Sequence, residues 1–202
     1  LHSTVRALQN GRVDVAVLQE AKIAKAKFAP RSYRGYTTRV TPPSSRACGG
    51  VALVVRETND FVVEDVAIAG PNVLSFQLVT GDDERWFVVG CYFPPSDTGG
   101  NARRLAMATL DAAPEGTKPL LLGDMNADLD FPRNVQEEVL SADLQARGLR
   151  CATRCFRPRG ARRLRGRWTW QQSRTTRDGG HIRVRSKPDY VMLRARDRRR
   201  VR

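Results

Sequence analysis

Asp124 and Asn126 lie one residue apart at the end of an apolar run, Pro119 to Leu122, that is typical of a buried strand. A carboxylate can orient or deprotonate a water molecule, and an amide can hold a phosphate oxygen. Phosphodiester hydrolysis requires both groups, and this short segment supplies both. Asp and Asn are also common in ordinary turns, so the spacing is equally compatible with a turn that does no chemistry.

Four further polar residues lie at the ends of short apolar segments. They are Glu20, Tyr92, Thr169 and Asp189. In layered α/β proteins, binding and catalytic groups usually lie at such strand ends and in the adjoining loops. Plainer interpretations stay open, since Glu20 is compatible with a solvated charge and Tyr92 with a half-buried aromatic residue. Thr169 is compatible with an ordinary strand position between two tryptophans.

The segments between these residues predict many strands and few helices. Strands are predicted at 13–18, 33–40, 51–55, 61–68, 73–79 and 86–92. A turn is predicted at Gly70-Pro71-Asn72, and a polar hairpin over 171–185. The spacing of apolar residues predicts helices over 101–113 and 131–147. The second of these helices is expected to carry on one face Val135, Val139, Leu140 and Leu144.

Six short segments occur in this order: Leu18-Gln-Glu20, Gly49-Gly-Val-Ala-Leu-Val-Val55, Tyr92-x-Pro94-Pro95, Gly123-Asp-x-Asn126, Trp168-Thr-Trp170 and Ser186-x-x-Asp-Tyr190. Together they resemble the motifs of the endonuclease/exonuclease/phosphatase superfamily, and most closely the apurinic-type endonuclease domain of non-LTR retrotransposons. The resemblance covers nearly the whole chain and implies a single domain over 1–202. The expected fold is a four-layered α/β sandwich with two packed mixed β-sheets flanked by helices.

The resemblance also implies a role for each residue of the predicted site. Glu20 is expected to bind Mg²⁺ (or Mn²⁺), because Mg²⁺ typically takes one or two carboxylates and keeps its waters. Asp124 is expected to orient or deprotonate the attacking water, while Asn126 holds that water or a phosphate oxygen. Tyr92 and Thr169 are expected to contact the phosphate.

The sequence departs from the family pattern at both ends. The family begins with a strand carrying an Asn that contributes to metal and phosphate binding, whereas this chain opens on Leu1-His-Ser-Thr-Val. In the family, the carboxylate matching Asp189 orients a catalytic histidine of a terminal Ser-Asp-His, as in a triad. This chain contains no Asp-His pair, and His2 and His181 are expected at the surface. We therefore expect a domain incomplete at both ends, with severely weakened hydrolysis.

The net charge of +14 is concentrated near the C-terminus. Residues 147–202 hold 20 basic and three acidic residues, a net charge of +17, whereas residues 1–146 carry −3. Clustered arginine is typical of a protein that binds DNA, because each phosphate contact releases a counterion. An arginine-rich genome is the plainer explanation. The expected DNA contacts are Arg162, Arg163, Arg165 and Arg167, followed by a basic tail at 194–202.

The resemblance and the charge together imply a metal-dependent phosphodiester hydrolase that nicks DNA. The resemblance further implies that it is the endonuclease domain of a retrotransposon polyprotein, with a reverse transcriptase domain as its expected partner in the same chain. A phosphatase of the same fold and a non-catalytic DNA-binding remnant stay open as alternatives. We expect an intracellular, nuclear protein without membrane contact, since no apolar run approaches the ~20 residues of a bilayer span. The four cysteines form neither a disulfide framework nor a complete zinc motif.

Overall fold

The computed structural model of the chain describes residues 2–21, 31–42, 49–58, 60–95, 97, 99–152, 170–175, 181–186 and 189–194. The chain forms two compact units, Leu1–Gly123 and Asp124–Arg202. The first unit contains α1 (His2–Asn10), β1 (Val15–Gln19), β2 (Arg31–Tyr33), β3 (Tyr36–Val40), β4 (Val51–Arg56), β5 (Phe61–Gly70), β6 (Val73–Thr80), β7 (Arg85–Tyr92), α2 (Asn101–Asp111) and all but the last residue of β8 (Lys118–Asp124). The second unit contains α3 (Val135–Ala146), β9 (Leu149–Cys151), β10 (Trp170–Thr175), β11 (His181–Ser186) and β12 (Asp189–Arg194).

Four strands of the first unit form an antiparallel sheet in the order β1, β4, β3, β2. Side chains alternate between the two faces along a strand. On β1 this alternation puts Ala16 and Leu18 on the face where they pack with the buried side chains of Val5 and Tyr36. Val5 belongs to α1, so this helix covers that face and leaves Val17 on the other.

The second sheet of the first unit begins with β5, β6 and β7, which are antiparallel, and β8 lies next to β7. At Gly90 of β7 it meets the first sheet, since an added Cβ would lie 2.7 Å from Val17 Cγ1. On its other face lies α2, whose Leu105 would be 2.6 Å from a Cβ added at Gly70. Helix, sheet, sheet and helix are stacked in that order, which confirms the predicted four-layered sandwich with two packed sheets.

The second unit has its own strand pairs. β12 pairs antiparallel with β9. β10 and β11 form an antiparallel hairpin in which Trp170 pairs with Ser186, and this confirms the predicted hairpin. Nowhere in the described ranges is a helix long and apolar enough to cross a membrane.

One expectation for α3 is wrong. Leu140 and Leu144 are buried as predicted, but Val135 and Val139 are 71% and 47% exposed. An α-helix turns by about 100° per residue, so Val135 and Leu140 point about 140° apart. The two valines therefore cannot share the buried face of the two leucines.

Candidate active site

Glu20 and Tyr92 lie 72 residues apart in sequence and meet at one end of the two sheets of the first unit. Glu20 follows β1, and Tyr92 is the last residue of β7. The Tyr92 hydroxyl donates a hydrogen bond of 2.6 Å to Glu20 Oε1. Tyr92 is only 2% exposed, whereas Glu20 is exposed. The packing of the sheets thus places a phenol beside a solvent-accessible carboxylate.

The backbone at Glu20 explains how its side chain reaches the other sheet. Regular alternation along β1 would put residue 20 on the face of Ala16 and Leu18, which α1 covers. Instead, Glu20 has a φ of +51°, in the left-handed region that costs a residue with a side chain roughly 1–2 kcal/mol. This turn ends the alternation and directs the carboxylate to Tyr92. Strained backbone of this kind clusters at functional sites.

Asp124 ends β8, and Asn126 lies in the loop that follows. Asp124 Oδ1 accepts a hydrogen bond of 2.9 Å from the Asn126 backbone N–H. Asn126 is exposed and has a φ of +45°, which Asn tolerates better than most residues. The segment is therefore an Asx turn, as the plainer interpretation predicted. The turn does not exclude a site, because the same hydrogen bond fixes both residues at the strand end.

Gly123 directly precedes Asp124 and packs on the backbone of β7. A Cβ at this position would lie 2.0 Å from the carbonyl oxygen of Cys91 and 2.8 Å from its carbonyl carbon. Backbone atoms of a paired strand have little room to move in a close-packed interior. Only glycine fits here, and the contact also holds the strand that ends at Tyr92.

Gly123→Ala is expected to lower the free energy of unfolding by about 1–3 kcal/mol, because the added methyl group overpacks the strand interface. For a chain of this size the Tm falls by roughly 2–4 °C per kcal/mol. Thermal unfolding of the purified variants measures the effect. Gly81→Ala is the matched control, since its Cβ would lie 3.4 Å from the Asp60 carbonyl oxygen, an ordinary contact. Equal Tm values for the two variants would contradict the clash.

In the second unit, Tyr190 ties the loop after Asn126 to β12. The Tyr190 hydroxyl accepts a hydrogen bond of 2.9 Å from the Leu129 N–H. Burial raises the pKa of Tyr190 well above its usual range, so the phenol stays neutral in any ordinary assay buffer. Asp189 is the first residue of β12 and directly precedes Tyr190. The backbone of Asp189 is therefore adjacent in sequence to the residue that holds this loop, Tyr190.

Several residues of the predicted site lie outside the part of the chain that the structure describes. They are Thr169, Arg162, Arg163, Arg165 and Arg167, together with residues 195–202 of the basic tail. The side chain of Asp189 also lies outside the described atoms. Their proposed roles stay predictions.

Two buried polar residues of the first unit belong to none of the six motifs, and one of them, Asn72, accepts a bond from the Tyr92 N–H. They are Thr41 and Asn72, which are 0% and 8% exposed. The sequence shows Asn72 only as part of a Gly-Pro-Asn turn, and Asn is common in turns. Its burial between the sheets depends on long-range packing, which local sequence does not reveal.

Glu20 supplies the kind of ligand that a hard divalent cation takes. Mg²⁺ binds carboxylate oxygens, usually one or two, and keeps several of its waters. Among the described residues, no three His, Cys, Asp or Glu side chains lie close enough together to hold a metal ion. An exposed carboxylate such as Glu20 fits a hydrated Mg²⁺ or Mn²⁺ ion.

Solved structures share this fold at low sequence identity. The endonuclease domain of TRAS1, a telomere-specific non-LTR retrotransposon, has a TM-score of 0.64 at 16% identity, covering 95% of this chain and 78% of that one. An AP endonuclease from Archaeoglobus fulgidus has a TM-score of 0.64 at 14% identity, with coverages of 98% and 82%. A mannosyl-6-phosphatase from Bacteroides thetaiotaomicron has a TM-score of 0.59 at 13% identity, with coverages of 96% and 75%.

These likenesses define the class of the molecule, an α/β sandwich on which several phosphoester hydrolases are built. The chain belongs to the Endonuclease/Exonuclease/phosphatase family, whose pattern it matches over residues 1–202. No curated protein matches it in sequence. The family and the fold support hydrolase activity, and the substrate is a separate question.

Proposed function

We propose that this chain is a metal-dependent phosphodiesterase that nicks DNA. The observation that carries the proposal is the 2.6 Å hydrogen bond between the Tyr92 hydroxyl and Glu20. It brings together, from two different sheets, a carboxylate suited to a metal ion and a hydroxyl suited to a phosphate oxygen. Glu20 is exposed, so an extended substrate can reach this end of the first unit.

Glu20 would hold a Mg²⁺ or Mn²⁺ ion, which would supply Lewis-acid stabilisation of negative charge on the phosphate. The Tyr92 hydroxyl has a single hydrogen, so it donates to a phosphate oxygen held there by exchanging its bond to Glu20 for one to the phosphate. Because the Tyr92 side chain is already fixed by burial, binding costs it little side-chain entropy. The first unit thus contributes metal binding and phosphate binding.

Proton chemistry in this proposal is assigned to the residues of the Asp124–Asn126 turn and to Asp189. Asp124 orients or deprotonates the attacking water, and the Asn126 amide holds that water or a phosphate oxygen. Asp189, at the start of β12, acts as a positioning carboxylate. Thr169 contacts the phosphate.

The distribution of charge supports DNA as the substrate. Residues 147–202 carry a net charge of +17, which suits the dense negative charge of a duplex. Arg162, Arg163, Arg165 and Arg167 are the proposed contacts to the DNA backbone. In a retrotransposon polyprotein, the nick would prime a reverse transcriptase in the same chain, and the protein would act in the nucleus.

A phosphatase acting on a small phosphate ester is the second candidate. It is favoured by the mannosyl-6-phosphatase, whose TM-score of 0.59 is close to the 0.64 of the retrotransposon endonuclease domain. A small ester carries one or two phosphates, which a few basic side chains can neutralise. A segment with a net charge of +17 is not needed to bind it. The charge therefore favours DNA over this alternative.

Purified chain is expected to relax supercoiled plasmid in Mg²⁺ or Mn²⁺, at the severely reduced rate expected without the family's histidine, and to lose this activity in EDTA. Its affinity for DNA is expected to fall by about 10-fold or more between about 50 and 200 mM salt, because several phosphate contacts release counterions. Gel assays of nicking and fluorescence anisotropy of labelled duplex measure both. Metal-dependent hydrolysis of p-nitrophenyl phosphate without nicking would favour the phosphatase. Salt-sensitive binding without hydrolysis would favour a DNA-binding remnant.

A further inference from the structure

A closed ring of hydrogen bonds joins the two sheets of the first unit beside the proposed metal site. Asn72 Oδ1 accepts a bond of 3.3 Å from the Gly50 N–H, and the Gly50 carbonyl accepts one of 3.1 Å from the Ala21 N–H. The Asn72 carbonyl accepts a bond of 2.9 Å from the Tyr92 N–H. The bond from the Tyr92 hydroxyl to Glu20 closes the ring at 2.6 Å.

Two members of this ring, Glu20 and Tyr92, carry the groups of the proposed site. Asn72 connects them through its bonds to Gly50 and to the Tyr92 backbone. Gly50 and Ala21 lie at the ends of β4 and β1 in the first sheet, whereas Asn72 and Tyr92 lie at the ends of β6 and β7 in the second. Two side-chain hydrogen bonds of this ring therefore cross between the sheets, and one of them is the bond that Asn72 Oδ1 accepts from Gly50. The other crossing is the Tyr92–Glu20 bond itself.

A buried threonine fixes the turn that carries Asn72. The Thr41 hydroxyl donates a bond of 2.6 Å to the Pro71 carbonyl and accepts one of 2.7 Å from the Val51 N–H. Thr41 is 0% exposed, and its bond from Val51 is buried and shielded from competing water. Thr41 thus links Pro71, the residue before Asn72, to Val51 at the start of β4. These two bonds fix the position of Asn72 relative to the first sheet.

The backbone of the Gly49-Gly50 turn makes this arrangement possible. Both glycines have positive φ angles, +94° and +86°, which residues with side chains rarely adopt. The turn points the Gly50 N–H at Asn72 and its carbonyl at Ala21, directly after Glu20. A displacement of Gly50 is therefore passed to the backbone that carries the carboxylate.

We propose that Asn72 is a positioning residue, whose Oδ1 sets the distance between the Glu20 carboxylate and the Tyr92 hydroxyl through Gly50. The proposal rests on the metal-dependent function proposed for these two groups. Loss of a residue that orients a metal ligand typically costs about 10–100-fold in metal affinity or activity. Asn72 does not contact the substrate in this account.

The test compares three variants of the full chain with the wild type. Asn72→Leu removes the acceptor, and Asn72→Asp keeps it. Tyr36→Phe is the control, because it breaks a partly buried hydrogen bond of 2.8 Å to the Val13 carbonyl. Val13 lies seven residues before Glu20, about 23 Å away along the chain at a rise of ~3.3 Å per residue. The measured quantities are kcat and KM for nicking, the Kd for Mn²⁺ by electron paramagnetic resonance, and the Tm.

Asn72→Leu is expected to raise the Mn²⁺ Kd or lower kcat by about 10–100-fold, with KM for DNA within about twofold. Asn72→Asp is expected to restore most of this loss, and Tyr36→Phe to lower the Tm alone. If Asn72→Leu does not fold, Asn72→Ala also removes the acceptor and takes its place. Wild-type values of kcat and Mn²⁺ Kd in the acceptor-free variant would overturn the proposal, as would an equal loss in Tyr36→Phe.

The function and the inference can fail separately. A wild type that binds Mn²⁺ but nicks nothing overturns the nuclease function, and the Mn²⁺ Kd of Asn72→Leu still decides the role of Asn72. A wild type that nicks DNA, with an equally active Asn72→Leu variant, overturns the positioning role alone.

Discussion

Asp124→Asn is expected to slow the nicking of supercoiled plasmid by about 10²–10⁴-fold, the range that loss of a general base produces. The substitution keeps the oxygen that accepts the Asn126 N–H at 2.9 Å, so the turn is expected to survive. What is lost is the negative charge and the proton acceptor at the strand end. Initial rates of plasmid relaxation at saturating Mn²⁺ measure the effect, with unchanged DNA affinity and Tm as checks on folding.

The matched control for this prediction lies in the same loop. Asp128 Oδ1 accepts bonds of 3.1 Å from the N–H groups of Asp130 and Phe131, so Asp128 has the same kind of turn contact as Asp124. Asp128→Asn is expected to nick at a rate within about threefold of the wild type, since asparagine keeps the oxygen that accepts both N–H groups and Asp128 has no role in the proposed chemistry. If both variants lose activity equally, Asp124 acts through the turn and not through its charge.

Glu20→Gln is expected to lower the rate of nicking by about 10²-fold or more. A bound cation supplies several kcal/mol of charge stabilisation in the transition state, and each 1.36 kcal/mol is a factor of ten in rate. Glutamine keeps an oxygen for the Tyr92 hydroxyl but loses the charge that attracts the cation. A titration of rate against Mn²⁺ measures the change, and the loss should be partly recovered at high Mn²⁺. If the Glu20→Gln variant binds Mn²⁺ normally and its nicking rate does not recover at high Mn²⁺, Glu20 is not a metal ligand.

Two controls isolate the part played by the metal ion. Tyr92→Phe removes only the hydroxyl, so we expect a lower rate with an unchanged dependence on Mn²⁺. Glu57→Gln changes a carboxylate of the same unit that accepts bonds from Ser32 and Thr37, at 2.6 and 3.0 Å. These two bonds lower the pKa of Glu57, but the residue follows the opposite end of β4, and the variant should nick normally.

The strand ends could be predicted because the pattern that marks a strand is local. Glu20 and Tyr92 each close an apolar run, and such runs are visible in a window of a few residues. The contact between the two residues could not be predicted in the same way. It depends on the packing of two sheets and on the left-handed backbone at Glu20. Glutamate has no intrinsic preference for this backbone conformation, so the sequence does not predict it.

Other parts of the molecule show the same limit. Asn72 has the sequence context of a turn residue, and its partner Gly50 lies 22 residues away, so its side-chain contact is invisible in local sequence. For α3 the pattern of apolar residues correctly predicted a helix, but Val135 and Val139 were placed on the wrong face. Four apolar residues in ten positions allow two different stripes, and only the packing of Leu140 and Leu144 decides between them.

The close approach of Gly90 to Val17 bears on redesign of this scaffold. Gly90 lies two residues before Tyr92, and Val17 lies three residues before Glu20. Because any Cβ at position 90 would come within 2.7 Å of Val17, the two sheets already lie as close together as side chains permit. Paired substitutions at 17 and 90 would therefore tune the gap between carboxylate and hydroxyl without altering either reactive group. An engineer seeking room for a bulkier phosphate ester would begin at this glycine rather than among the residues that bind it.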